Sequence, residues 1–225
     1  MKFTYYGHSC FSVQLSGKNI LFDPFITPNE LAKDINIEEL KPDYILLSHG
    51  HSDHVADCVQ IARQSNATVV SSFEVINWVN SQGVEKTHPM NHGGKWKFDF
   101  GTVKCTNAIH SSSMPDGSYG GNPMGFIVSG EKSFYYSGDT ALHMDMQLIP
   151  RWAQLDFAVL SIGDNFTMGY EDAIIAAELI QCKNIVGAHY DTFGFIKIDH
   201  QKAKEAFTNA GLNLLLPRIG ETIDI

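Results

Sequence analysis

The sequence predicts an α/β protein of two halves with the same grammar, each opening on antiparallel hairpins and continuing into strand–helix–strand units. Three observations carry this. Short β-branched and aromatic runs crowd residues 2–23 and 95–138. Continuous apolar runs too short for buried helices follow each crowd, and stretches with helical spacing alternate with those runs from residue 43 and again from residue 156.

In order, "KFTYYG", "CFSVQL" and "NILFD" read as strands, the last two joined through "SGKN", whose Gly and Asn suit a hairpin turn. "DYILLS" is a buried strand, "HVADCVQIARQS" a single helix, "ATVVSS" a strand and "FEVINWVNSQG" a short helix closed by Gly83. That order implies parallel pairing in a sheet covered by helices. "KWKFDFG", "TVKCTNAI", "MGFIVSG" and "KSFYYSGD" form a second antiparallel set punctuated by glycine. The alternation resumes with "DFAVLSIGD" as strand, "YEDAIIAAELIQC" as helix, "NIVGAHY" as strand, "DHQKAKEAFTNAG" as helix and "NLLLP" as strand. One long irregular stretch remains, "HSSSMPDGSYGGNP" at residues 110–123, and a Gly-rich loop of that length is expected at a functional site.

With 225 residues, 44% of them hydrophobic, the chain can bury a core without staples, and no Pro/Ser-rich linker divides it, so residues 1–225 read as one domain. Sixteen basic residues against 25 acidic ones give a net charge of −9, and the basic ones are scattered. This disfavours nucleic acid and a polybasic membrane patch and favours a small-molecule substrate. Cys10, Cys58, Cys105 and Cys182 form no C-x-x-C pair and read as small buried hydrophobes. No run approaches the ~20 apolar residues of a membrane span, and the start lacks the apolar core of a signal peptide, so a cytoplasmic protein is expected. A homo-oligomer is expected only from the general prevalence of symmetric assemblies.

The chemistry is concentrated in "LSHGHSDH", residues 47–54, where an apolar strand ends in three histidines and an aspartate. His49 and His51, two apart in an extended turn, can point the same way, while Asp53 and His54 sit on the turn into the next helix. With ten histidines in the chain, chance would produce this pattern on the order of one time in a thousand. Imidazole and carboxylate are the ligands of catalytic divalent sites, and the carboxyl edge of a sheet is where open α/β folds place them. His110, Asp139 and His189 each follow a predicted strand in the same way. Singly, each reads equally as a partly buried histidine or a helix-capping aspartate; together with residues 49–54 they supply five His and two Asp, a set suited to two metals sharing a carboxylate.

The H-x-H-x-D-H run, the distant His110, Asp139 in "SGDT" and the late His189 resemble the metallo-β-lactamase superfamily. "YYGHSCF" and "TMGYEDA" are similar to its small branch of metal-dependent hydrolases akin to the ascorbate-6-phosphate lactonases. The resemblance spans essentially the whole chain and implies an αββα four-layer sandwich of two β/α halves. It also implies that His49, His51 and His110 hold one metal, that Asp53, His54 and His189 hold the second, and that Asp139 bridges them. Relatives with Cys or His in place of the bridging aspartate, or with an acid in place of a first-motif histidine, are β-lactamases and diiron oxidases; neither departure occurs here.

The expectation that follows is a dinuclear hydrolase in which a metal-bridging hydroxide, oriented by Asp53 and Asp139, attacks a small ester, lactone or phosphoester. Zinc or manganese suits the ligands, with iron or nickel as further options. The alternatives are a phosphodiesterase or nuclease, and a mononuclear-iron, oxygen-dependent redox enzyme of the same fold. His8, after the first strand, reads either as a catalytic histidine that binds substrate or donates a proton, or as a structural one. Asp164, Asn165 and Thr167 precede a helix and read either as an anion-binding turn or as helix capping. His88, His92, His143 and His200 have no strand-end context and read as surface residues.

Overall fold

The computed structural model describes residues 1–225. The first half contributes β1 (Lys2–Gly7), β2 (Cys10–Leu15), β3 (Lys18–Phe22), β4 (Tyr44–Leu46), α1 (Ser52–Val55), α2 (Cys58–Ser65), β5 (Thr68–Ser72), α3 (Phe73–Ser81) and β6 (Thr87–Met90). The second contributes β7 (Lys95–Phe98), β8 (Gly101–Asn107), β9 (Met124–Ser129), β10 (Ser133–Tyr136), β11 (Phe157–Ser161), α4 (Tyr170–Leu179), β12 (Asn184–Ala188), α5 (His200–Asn209) and β13 (Asn213–Leu215). A last strand, β14 (Thr222–Asp224), returns to pair with β1.

These strands make two seven-stranded sheets, ordered β14-β1-β2-β3-β4-β5-β6 and β13-β12-β11-β10-β9-β8-β7. Pairing is antiparallel through β1–β2–β3 and parallel through β3–β4–β5–β6. In the second sheet it is antiparallel through β7–β8–β9–β10 and parallel through β10–β11–β12–β13. The repeated grammar of the sequence is thus the topology of the two sheets. The fold is the α/β sandwich, with two mixed sheets face to face and helices flanking them.

Period-two alternation decides which side chains meet. Phe3, Phe11 and Phe22 stack in series at 5.0 and 4.5 Å, and Phe22 meets Phe134 of the opposite sheet at 5.8 Å. Each fully buried ring of this kind stabilises the fold by about 1.5–3 kcal/mol through area removed from water. Leu21, Ile45, Leu47 and Val69 belong to a second core, packed with Ile61 of α2 and Val75 and Val79 of α3.

One local expectation is corrected, and three further segments take a structure that the sequence reading did not assign. The stretch 54–65 forms two helices, because Asp57 accepts hydrogen bonds from Ile26 N (2.6 Å) and Thr27 N (2.9 Å) while its own N–H donates to Pro24 O (3.1 Å). A residue tied to the loop after β3 cannot continue a straight helix. The strands β6 and β14 carry no period-two pattern, since one contains Pro89 and the other has three residues; their pairing comes from neighbours. The segment Met144–Arg151, which has no clear periodicity, forms 3-10 turns. The hairpin between β2 and β3 centres on Ser16 and Gly17, both at positive φ, as its two-residue turn requires. No helix is long and apolar enough to cross a membrane.

Candidate metal centre

Six strands deliver side chains to one place. β1, β3 and β4 run in the same direction, as do β8, β10 and β12, because an even number of antiparallel pairings separates the members of each set. Their carboxyl ends lead into His8, Asp23, His49, His110, Asp139 and His189 respectively. His8, Asp23 and His189 have φ values of 55°, 40° and 56°, so a third of the nine non-glycine left-handed residues lie at this edge. Strain of this sort, about 1–3 kcal/mol each, persists where the surroundings over-determine the backbone.

All seven predicted ligands converge. His49, His51 and His110 offer ligand atoms lying within 4.8 Å of one another, as do Asp53, His54 and His189 together with His8. Asp139 Oδ2 spans the two groups, at 3.7 Å from His110 Nε2, 3.2 Å from His54 Nε2 and 2.9 Å from His189 Nε2. His49, His54, Asp139, His189 and His8 are buried; His51, Asp53 and His110 are half-buried and face the opening.

Asp23 is the residue that sequence reading missed. It is fully buried, and its Oδ2 accepts from Ser48 Oγ (2.6 Å), Tyr136 Oη (2.6 Å) and His54 Nδ1 (2.8 Å), while Oδ1 accepts from Ser48 N (2.7 Å). The signal was present: "NILFD" is another apolar strand ending in an acid.

The tautomers follow from these bonds. Ser48 Oγ gives its only proton to Asp23, so at 2.9 Å it accepts from His49 Nδ1–H, leaving a lone pair on His49 Nε2. His54 Nδ1–H donates to the same carboxylate, leaving the lone pair on Nε2. The orphaned atoms test whether a cation suits the site: His54 Nε2 and Asp139 Oδ1 are buried without hydrogen-bond partners, and both residues belong to the cluster. Buried polar atoms without a partner cost free energy unless something satisfies them, and a donor set of His and Asp side chains with such orphans fits a metal.

The protonation states of three of the histidines agree. Burial holds His49, His51 and His110 below the usual imidazole range, the neutral form that binds metal. Burial opposes ionisation of Asp139 and Asp53, but His189 and His54 around the first, and His54 and His8 around the second, outweigh it and keep both carboxyls low. His54 is the exception: burial opposes its charge, but Asp139, Asp23 and Asp53 override it and raise its pKa, so a cation at Nε2 would take the place of the proton these acids otherwise hold there.

His8 is inside this cluster. Its Nε2 lies 3.1 Å from Asp53 Oδ2 and its Nδ1 3.0 Å from Thr192 Oγ1. The ionised Asp53 carboxylate can only accept, so His8 carries its proton on Nε2 and donates it there, and Nδ1 accepts from Thr192 Oγ1–H. Burial pushes the ring down to about 4, so it is neutral near pH 7.

The loop 110–123 is built rather than loose. Ser112 Oγ accepts from Gly50 N (3.1 Å) and donates to Gly120 O (2.9 Å), and Met114 is buried against the H-x-H-x-D-H turn. Asp164, Asn165 and Thr167 are not drawn into the cluster by any hydrogen bond. Asp164 Oδ1 accepts from Asn165 N, Thr167 Oγ1 donates to Met168 O, and the turn is anchored next to Asp139 by Met168 N donating to Thr140 O.

The model of the Beta-lactamase superfamily domain matches residues 18–190. A UPF0173 metal-dependent hydrolase of Christiangramia forsetii is 55% identical, and one of Flavobacterium johnsoniae 54%, each alignment covering 100% of both chains. Among solved structures, Igni18, described as a novel metallo hydrolase from the archaeon Ignicoccus hospitalis, superposes with a TM-score of 0.89 at 34% identity, over 99% of this chain and 97% of that one. Shared sequence over the full length and a shared sandwich carrying a His/Asp cluster lead to one conclusion: the chain belongs to the metallo-β-lactamase superfamily, as one of its UPF0173 metal-dependent hydrolases.

Proposed function

We propose that residues 1–225 act as one hydrolase domain with a dinuclear centre of zinc or manganese, working on a small ester, lactone or phosphoester. The observation that carries this reading is Asp139 Oδ2 lying within 3.7 Å of ligand nitrogens from both groups. One shared carboxylate between a three-histidine group and a mixed His/Asp group suits two ions better than one. His49, His51 and His110 would hold the first, Asp53, His54 and His189 the second, and Asp139 both.

When bound, such ions supply a water acidic enough to be deprotonated near neutral pH and a Lewis acid for the oxygen of the scissile bond. The chain's own groups do the rest. Asp53 and Asp139 orient the attacking water by accepting its hydrogen bonds. His8 steadies the Asp53 carboxylate through Nε2–H, and Asp53 takes the proton of the attacking water and returns it to the leaving oxygen; His8 is itself held in place by Thr192 and by the Phe25 and Phe193 rings, 5.3 and 5.4 Å away. The net charge of −9 and scattered Lys and Arg fit a small-molecule substrate, with no nucleic-acid partner and no membrane surface. The same composition suits the cytoplasm.

The test is metal content of the purified protein by mass spectrometry, paired with a lactone and ester panel and a phosphodiester panel. About two zinc or manganese ions per chain with turnover on either panel supports the reading. A single iron per chain, with oxygen consumed and neither panel turned over, overturns it.

A further inference from the structure

A second concentration of unsatisfied polar atoms lies away from the seven ligands. Of the ten buried side-chain atoms without a hydrogen-bond partner, four are Thr106 Oγ1, Tyr135 Oη, His143 Nδ1 and His143 Nε2. All three residues line one cavity of about 180 Å³, walled by Trp152 and Ile149. Tyr135 is fully buried and Thr106 is 6% exposed. Burial raises the Tyr135 phenol above its ordinary range and the nearby Thr106 offsets a little of that, yet no hydrogen bond of acceptable geometry joins them. His143, read from sequence as a surface residue, instead turns both ring nitrogens inward.

The cavity is connected to the centre. A groove lined by Ile109, His110 and Asn122 shares His92 and Asn107 with it. Asn107 stands three residues before His110, and His143 four residues after Asp139. The two segments are tied side by side by Ala141 N donating to Ile109 O (3.0 Å) and Ile109 N donating to Thr140 Oγ1 (2.9 Å). Three extended residues reach about 10 Å, a span suited to the far part of a substrate whose scissile bond lies at the centre.

We propose that this cavity binds an uncharged, hydroxyl-rich group, a sugar or small polyol, as the remote part of the substrate. The chemistry of the lining selects that class. Two hydroxyls and an imidazole offer donors and acceptors of no net charge, and burial keeps His143 in its neutral form. No Lys or Arg lines the cavity, and Asp145 at its edge, accepting from Asn107 Nδ2 at 3.3 Å, takes hydroxyl donors and repels anions. The half-exposed Trp152 ring supplies an apolar wall for the C–H face of such a ligand. The role as a substrate subsite rests on the hydrolase reading above; the binding itself does not.

The first arm of the test therefore reads binding without turnover. D-Glucose, D-ribose and glycerol are titrated against the full chain by saturation-transfer NMR and tryptophan fluorescence, with inorganic phosphate in parallel. Saturable binding of at least one of the three, weakened about tenfold in both Tyr135→Phe and His143→Leu, is expected, the loss of one buried hydrogen bond. Circular dichroism checks that both variants fold. Absence of saturable binding by the unmodified protein, binding unchanged in either folded variant, or preferential binding of phosphate overturns the proposal. The second arm compares a monoacetylated sugar with p-nitrophenyl acetate. In His143→Leu, KM rises for the sugar ester alone; equal losses on both esters remove the subsite role, and absence of turnover with sugar binding intact points to failure of the hydrolase reading instead.

Discussion

Asp23 Oδ2 lies 2.8 Å from His54 Nδ1 and 2.6 Å from Ser48 Oγ, which in turn receives His49 Nδ1–H. One buried carboxylate thus sets the tautomer of a histidine in each ligand group, directly for His54 and through a hydroxyl for His49. Ligand histidines held in this way bind metal more tightly, because ring orientation and basicity are fixed before the ion arrives.

Asp23→Asn keeps the shape and removes the charge that four donors share. Metal affinity, measured by competition with a fluorescent chelator, is expected to fall about 10- to 100-fold for both ions. Ser48→Ala breaks only the relay to His49, so its loss is confined to the ion held by His49, His51 and His110. Equal losses at both sites in Ser48→Ala would contradict the relay.

Asp139→Ala removes the one side chain within reach of both groups. Metal analysis after dialysis against limiting zinc is expected to show less than one ion per chain, whereas His110→Ala retains one. Retention of two ions by Asp139→Ala would rule out the bridging role.

Gly50 separates His49 from His51 under the loop 110–123. A Cβ there would overlap Met114 Sδ and lie 3.2 Å from Ser113 O, and Met114 is buried. Gly50→Ala is expected to lower stability by about 1–3 kcal/mol through overpacking. It also loosens the first metal group, read as lower zinc affinity together with a lower denaturation midpoint. An unchanged midpoint would show that the loop yields freely.

Phe22 bridges the sheets, stacked on Phe11 and edge-on to Phe134. Phe22→Ala is expected to cost about 3–5 kcal/mol in urea denaturation of the metal-free protein. Because Asp23 follows it directly, metal affinity should fall as well. A loss below about 1 kcal/mol would mean the core refills the cavity.

The His/Asp cluster was legible because a strand end is a local feature. An apolar run that stops at His or Asp shows its role in five or six consecutive residues, as at His49, His110, Asp139 and His189. The same rule applied to "NILFD" would have found Asp23. His143 was not legible, because no local pattern marks a histidine whose environment is made by Tyr135, Trp152 and Thr106 from three other segments. The break between α1 and α2 was hidden for a related reason: the helical spacing of residues 54–65 is sound, and only the loop at Pro24–Thr27, arriving from β3 to meet Asp57, overrides it.

The sequence by itself determined the alternation of hairpins and β/α units, the family and the seven His and Asp side chains that converge, since periodicity and strand-end chemistry are carried by neighbouring residues. Tertiary structure alone decided which nitrogen of each histidine faces the centre, that Asp139 reaches both groups, and that a hydroxyl- and imidazole-lined cavity opens beside them. Those properties depend on distances between residues as far apart as His8 and Thr192, and such distances exist only once two sheets have packed face to face and brought six strand ends to a common edge.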